Sequence, residues 1–81
     1  MTTIRYFAAA ADAVGMSEEP AEIADSTTIA DVRDQVLTAH PHARAVLEQC
    51  AIFVDNAQAT DLGTPATKAT TVDFLPPFAG G

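Results

Sequence analysis

Cysteine occurs once, at position 50, so the chain has no internal disulfide framework and no thiolate zinc cluster. A single thiol is ordinary in a reducing cytoplasm, and a cytoplasmic location is the expectation. Cations are scarce as well: four Lys and Arg stand against eleven Asp and Glu, for a net charge of −7. Clustered cations are what grip phosphate backbones and anionic lipid, so neither nucleic acid nor a membrane surface is an expected partner, whereas a basic protein is. No apolar run approaches the roughly 20 residues of a membrane span. No basic stretch leads into a long apolar run after Met1, so no signal peptide is expected. There is no paired-carboxylate motif, Ser-His-Asp arrangement or phosphate-cradling glycine loop, and nothing that reads as a self-sufficient enzyme. Glycine is also rare: there are four, and two of them, Gly80 and Gly81, are the last residues.

What remains is one small domain of 81 residues. Apolar residues make up 48% of the chain, but 17 of them are alanine, which leaves a thin yet workable core. No long-period repeat occurs, and only the alanine run Ala8–Ala11 is low in complexity. Thr3–Ala9 alternates and reads as a strand, Asp12–Glu19 as a connection, and Pro20–Ser26 as an edge strand. The pattern predicts a helix from Ile29 to Ala39. Thr28 caps it, Asp31 supplies a short-armed capping box, and Ile29, Val32, Val36 and Leu37 form one apolar stripe. Pro41 stops it at His40. A further turn or two follows over Ala43–Gln49, with Val46 and Leu47 inward. Then come a strand at Cys50–Val54, a turn at Asp55-Asn56, a return strand at Ala57–Thr60, a loop at Leu62–Ala66 and a last strand at Thr71–Leu75. This order describes an α+β roll: one mixed sheet of four to five strands with the main helix on one face, for which the β-grasp arrangement is the natural small solution.

Residues 1–75 form that domain and residues 76–81 an extended, flexible tail. Pro76-Pro77 prevents the last strand from continuing, and Gly80-Gly81 carries no Cβ, so a narrow channel can admit it. Six extended residues reach about 20 Å, enough to deliver a carboxylate into another protein's active site. With Ile4 and Tyr6 facing the helix, Phe7 points away. With Val72 and Phe74 facing it, so does Leu75. Phe7 and Leu75 then share the open face with Phe78 just beyond, an apolar docking patch; with one strand's register inverted they are core instead. His40 and His42 are too few for a closed zinc site, and His40 is expected to cap carbonyls at the helix end. Cys50 opens an apolar run and reads as a buried, inert thiol.

The ending Val72-Asp73-Phe74-Leu75-Pro76-Pro77-Phe78-Ala79-Gly80-Gly81 resembles that of the small subunits of molybdopterin synthase, ubiquitin-like sulfur carriers of molybdenum cofactor biosynthesis. Ile4-Arg5-Tyr6-Phe7-Ala8 is similar to that family's first strand. Thr28-Ile29-Ala30-Asp31-Val32-Arg33 resembles the start of its helix, and Val54-Asp55-Asn56 the turn after its third strand. Where many relatives carry a Gly-Asp-Glu type turn before the last strand, this chain has Lys68-Ala69-Thr70-Thr71. The resemblance implies that an E1-like, ATP-dependent adenylyltransferase activates the carboxylate of Gly81 as an adenylate. A sulfur donor then displaces AMP to leave a thiocarboxylate. Inside the synthase large subunit that sulfur passes to cyclic pyranopterin monophosphate, two rounds building the molybdopterin dithiolene. Gly81 carries the reacting group and Gly80 gives it passage, while Phe7, Leu75, Pro76, Pro77, Phe78 and Ala79 meet the partner. No permanently bound cofactor is expected, only the transient AMP and sulfur. Three other readings share these features: a thiamine-pathway sulfur carrier, a protein modifier joined through Gly81 to lysines, and a β-grasp interaction module with an inert tail.

Overall fold

The computed structural model describes residues 2–77; Met1 and residues 78–81 lie outside them. Strand β1 (Thr2–Tyr6) buries Thr2, Ile4 and Tyr6, the alternation its sequence dictates. It ends three residues earlier than its pattern suggests. The chain breaks at Ala8, whose φ of 50° and ψ of −124° belong to neither strand nor helix. The alanine run then forms a short helix α1 (Ala9–Val14) inside what reads as an irregular connection. Alanine has the highest helix propensity, and Ala10 and Val14, four residues apart, are the two that α1 buries. Gly15, at φ 91°, closes α1 with its N–H donating to the Ala11 carbonyl.

Strand β2 (Glu18–Ala21) lies earlier in the chain than the Pro20–Ser26 expected from composition. Pairing decides this. Glu18, Glu19, Pro20 and Ala21 stand opposite Arg5, Ile4, Thr3 and Thr2 in an antiparallel ladder, and the Ile23 segment runs beyond the last partner on β1. Pro20 is tolerated because β2 is an edge strand.

Helix α2 (Ile29–Ala39) follows its sequence pattern residue for residue, burying Ile29, Val32, Val36 and Leu37. Each large aliphatic side chain so buried contributes about 1.5–3 kcal/mol. Thr28 Oγ1 accepts from Asp31 N at 3.2 Å, while Asp31 Oδ2 accepts from Thr28 N at 3.0 Å. The Ile29 and Ala30 amides donate to the Thr64 and Leu62 carbonyls, so the loop before the last strand satisfies the helix's remaining free donors. Beyond Pro41 come one 3-10 turn (Pro41–Ala43) and a single turn of helix, α3 (Arg44–Leu47), with Leu47 buried and Val46 packed at the core margin.

Strands β3 (Ala51–Val54), β4 (Ala57–Gln58) and β5 (Thr71–Leu75) complete a five-stranded sheet of order β2-β1-β5-β3-β4. Strand β5 runs parallel to β1 and antiparallel to β3. Asp55 and Asn56 both have positive φ (49° and 71°), as a two-residue hairpin turn requires. The return strand is shorter than the expected Ala57–Thr60. Asp55 has a second role: its carboxylate accepts from the amides of Thr70 (2.8 Å) and Thr71 (3.0 Å). The turn into β5 therefore needs no glycine. Ala69 keeps an ordinary negative φ and donates to the Ala66 carbonyl at 3.0 Å.

Among the described residues, Ala8 is the one non-glycine with positive φ outside the Asp55-Asn56 hairpin turn. Ala8→Gly is expected to raise the unfolding free energy by about 1 kcal/mol, because glycine accepts that conformation without a Cβ clash. Urea denaturation checks this; an unchanged or lower midpoint would contradict the strain.

Candidate functional site

Helix α2 covers one face of the sheet, and the other face is open. Tyr6 pairs with Phe74 in the parallel ladder, and Phe7 N donates to the Phe74 carbonyl at 3.2 Å. The next step sets Phe7 beside Leu75. Ile4, Tyr6, Val72 and Phe74 are buried in the core, so by alternation Phe7 and Leu75 share the open face, and the inverted register that would make them core does not occur. Phe7 is 37% exposed, and Leu75 is half-buried. Pro76, next in the chain, is buried, and Pro77 is exposed. Phe78, Ala79, Gly80 and Gly81, to which the sequence assigns the reacting end, lie outside the described residues.

Behind Phe7 the open face is charged. Arg5 and Asp73 are register partners, and the guanidinium grips the carboxylate with two bonds, Nε–Oδ1 at 2.6 Å and Nη2–Oδ2 at 2.7 Å. Nη2 also donates to Asn56 Oδ1 at 3.2 Å, and the Phe7 ring centroid lies 5.7 Å from the Arg5 Cζ. Asp73 is only 6% exposed, so its charge is tolerable there because Arg5 covers it in fork geometry. The hydrogen bond to Asp73 raises the pKa of Arg5 above its ordinary value, despite some opposing burial. Both residues sit at alternate positions to buried neighbours, so alternation alone points them outward. Their pairing follows only from the parallel register.

A second polar cluster lies under the helix. Tyr6 Oη donates to Glu19 Oε2 at 2.6 Å, and His40 Nε2 lies 2.7 Å from the same oxygen. Three elements meet there: β1, β2 and the end of α2. The ring of Tyr6 is 5.9 Å from that of His40, edge-on, and 5.8 Å from that of Phe74. Burial, then the bond to Glu19, pushes the Tyr6 hydroxyl well above the usual tyrosine range. Burial alone would raise Glu19, but the hydrogen bonds from Tyr6 and His40 outweigh it and hold the carboxyl below its ordinary value. The expectation that His40 caps helix carbonyls is thus corrected: its side chain goes to Glu19, while its backbone N–H donates to Val36 O. A buried imidazole between an aromatic and a carboxylate gains more from that pair than from exposed carbonyls. Burial pushes the Cys50 thiol up to about 11, and Sγ donates to Val46 O at 3.4 Å. That is the state of an unreactive thiol. Among the described residues no group of three His, Cys, Asp or Glu side chains is placed to hold a metal, and no helix is long and apolar enough to cross a membrane.

A mixed sheet with parallel β1 and β5 at its centre, one main helix on one face and a proline-guarded exit from β5 is the ubiquitin-like β-grasp architecture. The same fold is found in SAMP1 from Haloferax volcanii, at TM-score 0.84 and 19% identity over 99% of this chain and 98% of that one. It is found again in the complex of subunits 1 and 2 of molybdopterin-converting factor from Helicobacter pylori, at TM-score 0.71 and 21% identity over 99% and 97% of the respective chains. In sequence, a relative from Chlamydomonas reinhardtii, a molybdopterin synthase sulfur carrier subunit, is 27% identical over 79 residues, covering 96% of this chain and 95% of its own. The model of the ThiS family matches residues 4–81. The chain belongs to the ThiS family.

The Glu19 cluster sets an acid limit on the fold. A carboxyl held below its unfolded pKa contributes stability that is full above that value and is lost as pH falls through the folded one. At neutral pH Glu19→Gln is expected to cost about 1–2 kcal/mol. The gap to the parent should close as pH drops below the ordinary glutamate value of about 4.3. Thermal melts across that range check this; a gap that stays constant with pH would contradict it.

Proposed function

We propose that this chain is the sulfur carrier of molybdopterin synthase, the small subunit whose C-terminal glycine is activated and thiocarboxylated. The observation that carries the reading is the conjunction at one end of the sheet. Strand β5 exits through Pro76-Pro77 next to Phe7 and Leu75, and the sequence continues from there to Gly80-Gly81. The family match running to residue 81 supports it, as does the name of the Chlamydomonas relative. The Helicobacter complex supports a large subunit as the partner, by analogy with a subunit 2 bound to a chain of this fold.

The chemistry needs a poor electrophile made reactive. The Gly81 carboxylate attacks the α-phosphorus of ATP on an E1-like adenylyltransferase, releasing pyrophosphate and leaving an acyl adenylate. Sulfide delivered by a sulfur donor adds to the acyl carbon, the bond to AMP breaks and AMP leaves, which gives the thiocarboxylate without a change of oxidation state. The tail then enters the large subunit, which supplies the acid–base groups and the binding site for cyclic pyranopterin monophosphate, and sulfur passes from Gly81 to the pterin. This chain's contribution is presentation. Gly80 and Gly81 add no side-chain width to the tail, the prolines keep its base extended, and Phe7, Leu75 and the tail residues Pro76, Pro77, Phe78 and Ala79 dock the body. It is not an enzyme on its own but the sulfur-donating half of a two-subunit sulfurtransferase.

Intact mass tests this. Incubated with an adenylyltransferase, ATP and a sulfur donor, the chain is expected to gain the mass of one sulfur replacing one oxygen. Deleting Gly81 should abolish both that gain and molybdopterin formation while leaving the melting curve unchanged. A deletion variant that still supports molybdopterin formation at the parental rate would sink the assignment, and covalent adducts to other proteins would mark a modifier instead.

A further inference from the structure

The antiparallel ladder between β1 and β2 runs on past its last strand pair. Arg5 stands opposite Glu18, and Tyr6 N donates to Ser17 O at 2.8 Å, so the same register brings Met16 opposite Phe7 at the next step. Across the sheet, Phe7 neighbours Leu75, and Leu75 pairs with Ala51 on β3. Alternation sets Phe7, Leu75 and Ala51 in one row on the open face, and Met16, in the bend that leads into β2, extends that row past Phe7 by the same register. Met16, at 41%, and Phe7, at 37%, are the exposed large apolar side chains of the described residues. A single exposed apolar side chain needs no explanation, but two in adjacent positions of one row, at the end where the tail departs, form a patch.

The row behind carries Glu18, Arg5, Asp73 and the partly buried Phe53. Arg5 is committed to Asp73 and Asn56. Glu18 is exposed and makes no hydrogen bond or ion pair to a described residue. With one cation against two carboxylates the row carries a net negative charge, and the carboxylate without a bond is Glu18, opposite Arg5 and two residues after Met16 in the chain.

We propose that the docking face extends beyond Phe7 to the start of β2, where Met16 receives an apolar side chain and Glu18 a Lys or Arg of the synthase large subunit. The inference rests on the function proposed above and deepens it by stating the chemistry of the partner surface: an apolar strip bordered by a cation. Charge complementarity argues for this occupant. The chain is strongly acidic, and among the described charged groups of this face it is the carboxylate of Glu18 that has no ion-pair partner. Methionine, unbranched and polarizable, adapts to a facing apolar surface without strict shape demands.

The test measures binding of the full chain to the purified large subunit by calorimetry at low and high salt. Three variants are compared: Met16→Ser, Glu18→Lys and Asp34→Lys. Asp34 is exposed on α2, across the sheet from the open face, and its reversal makes the same change in net charge as Glu18→Lys. Met16→Ser is expected to weaken binding about tenfold at both salt concentrations. Glu18→Lys should weaken it about tenfold at low salt and less at high salt, whereas Asp34→Lys stays within about twofold of the parent. All three positions are exposed, so melting curves should match the parent. Parental affinity in Met16→Ser, or equal losses in Glu18→Lys and Asp34→Lys, would overturn this extension while leaving the docking of Phe7 and Leu75 standing. A parent chain that does not bind the large subunit at all would overturn the functional reading itself, and this inference with it.

Discussion

Everything in this structure depends on the parallel pairing of β1 with β5, two strands at opposite ends of the chain. Thr3 meets Thr71 and Tyr6 meets Phe74, so the loop closed between them contains every other element of the fold. Such a contact is entropically costly to form and is held only because both strands bury one face under α2. Its register is the decisive quantity. Ile4 with Val72 and Tyr6 with Phe74 supply the core, and the residues between and after them, Arg5 with Asp73 and Phe7 beside Leu75, are thereby sent to the other side. A slip of one residue would exchange the two sets, burying a guanidinium and exposing an aromatic core.

Apart from the Thr71 hydroxyl, buried without a partner, the polar side chains that this pairing draws into the described fold are matched to one another. Asp73, nearly buried on the open face, is covered by the fork of Arg5. Tyr6 keeps its hydroxyl in the interior by donating to Glu19, and the same carboxylate oxygen meets His40. That cluster ties edge strand β2 and the end of α2 to the central strand. Asp55 draws the start of β5 to the hairpin turn. Removing one member of any of these groups leaves a partner unsatisfied, which costs more than the bond itself contributes. In a chain with so thin an apolar core, these links account for much of what makes the arrangement unique.

The proposed role of sulfur carrier asks this domain for presentation rather than for catalysis. The described part of the chain offers no cluster of titratable side chains open to a substrate. It offers instead a defined exit: β5 ends in two prolines at the margin of an apolar row. A partner that binds the row receives the tail in a defined direction.

Much of this was legible in the order of residues. The helix from Ile29 to Ala39 is written in its cap, its stripe and the proline beyond it, and β5 in its alternation, because both depend on neighbours a few residues away. The ending from Phe74 to Gly81 announced the family by itself. The alanine run did not announce α1, because a helix of six residues is stable only where something covers it, however strong the propensity of alanine, and the cover for Ala10 and Val14 is built from distant parts of the chain. Nor could β2 be placed from composition, since Pro20 and Glu19 join a strand only when β1 offers its edge. Glu19 beside His40, Arg5 on Asp73, and Met16 in line with Phe7 and Leu75 were decided by tertiary structure alone. Local sequence sets which way each strand alternates, but which residues meet across a sheet is set by a register between segments as much as 68 residues apart, and only the folded chain establishes it.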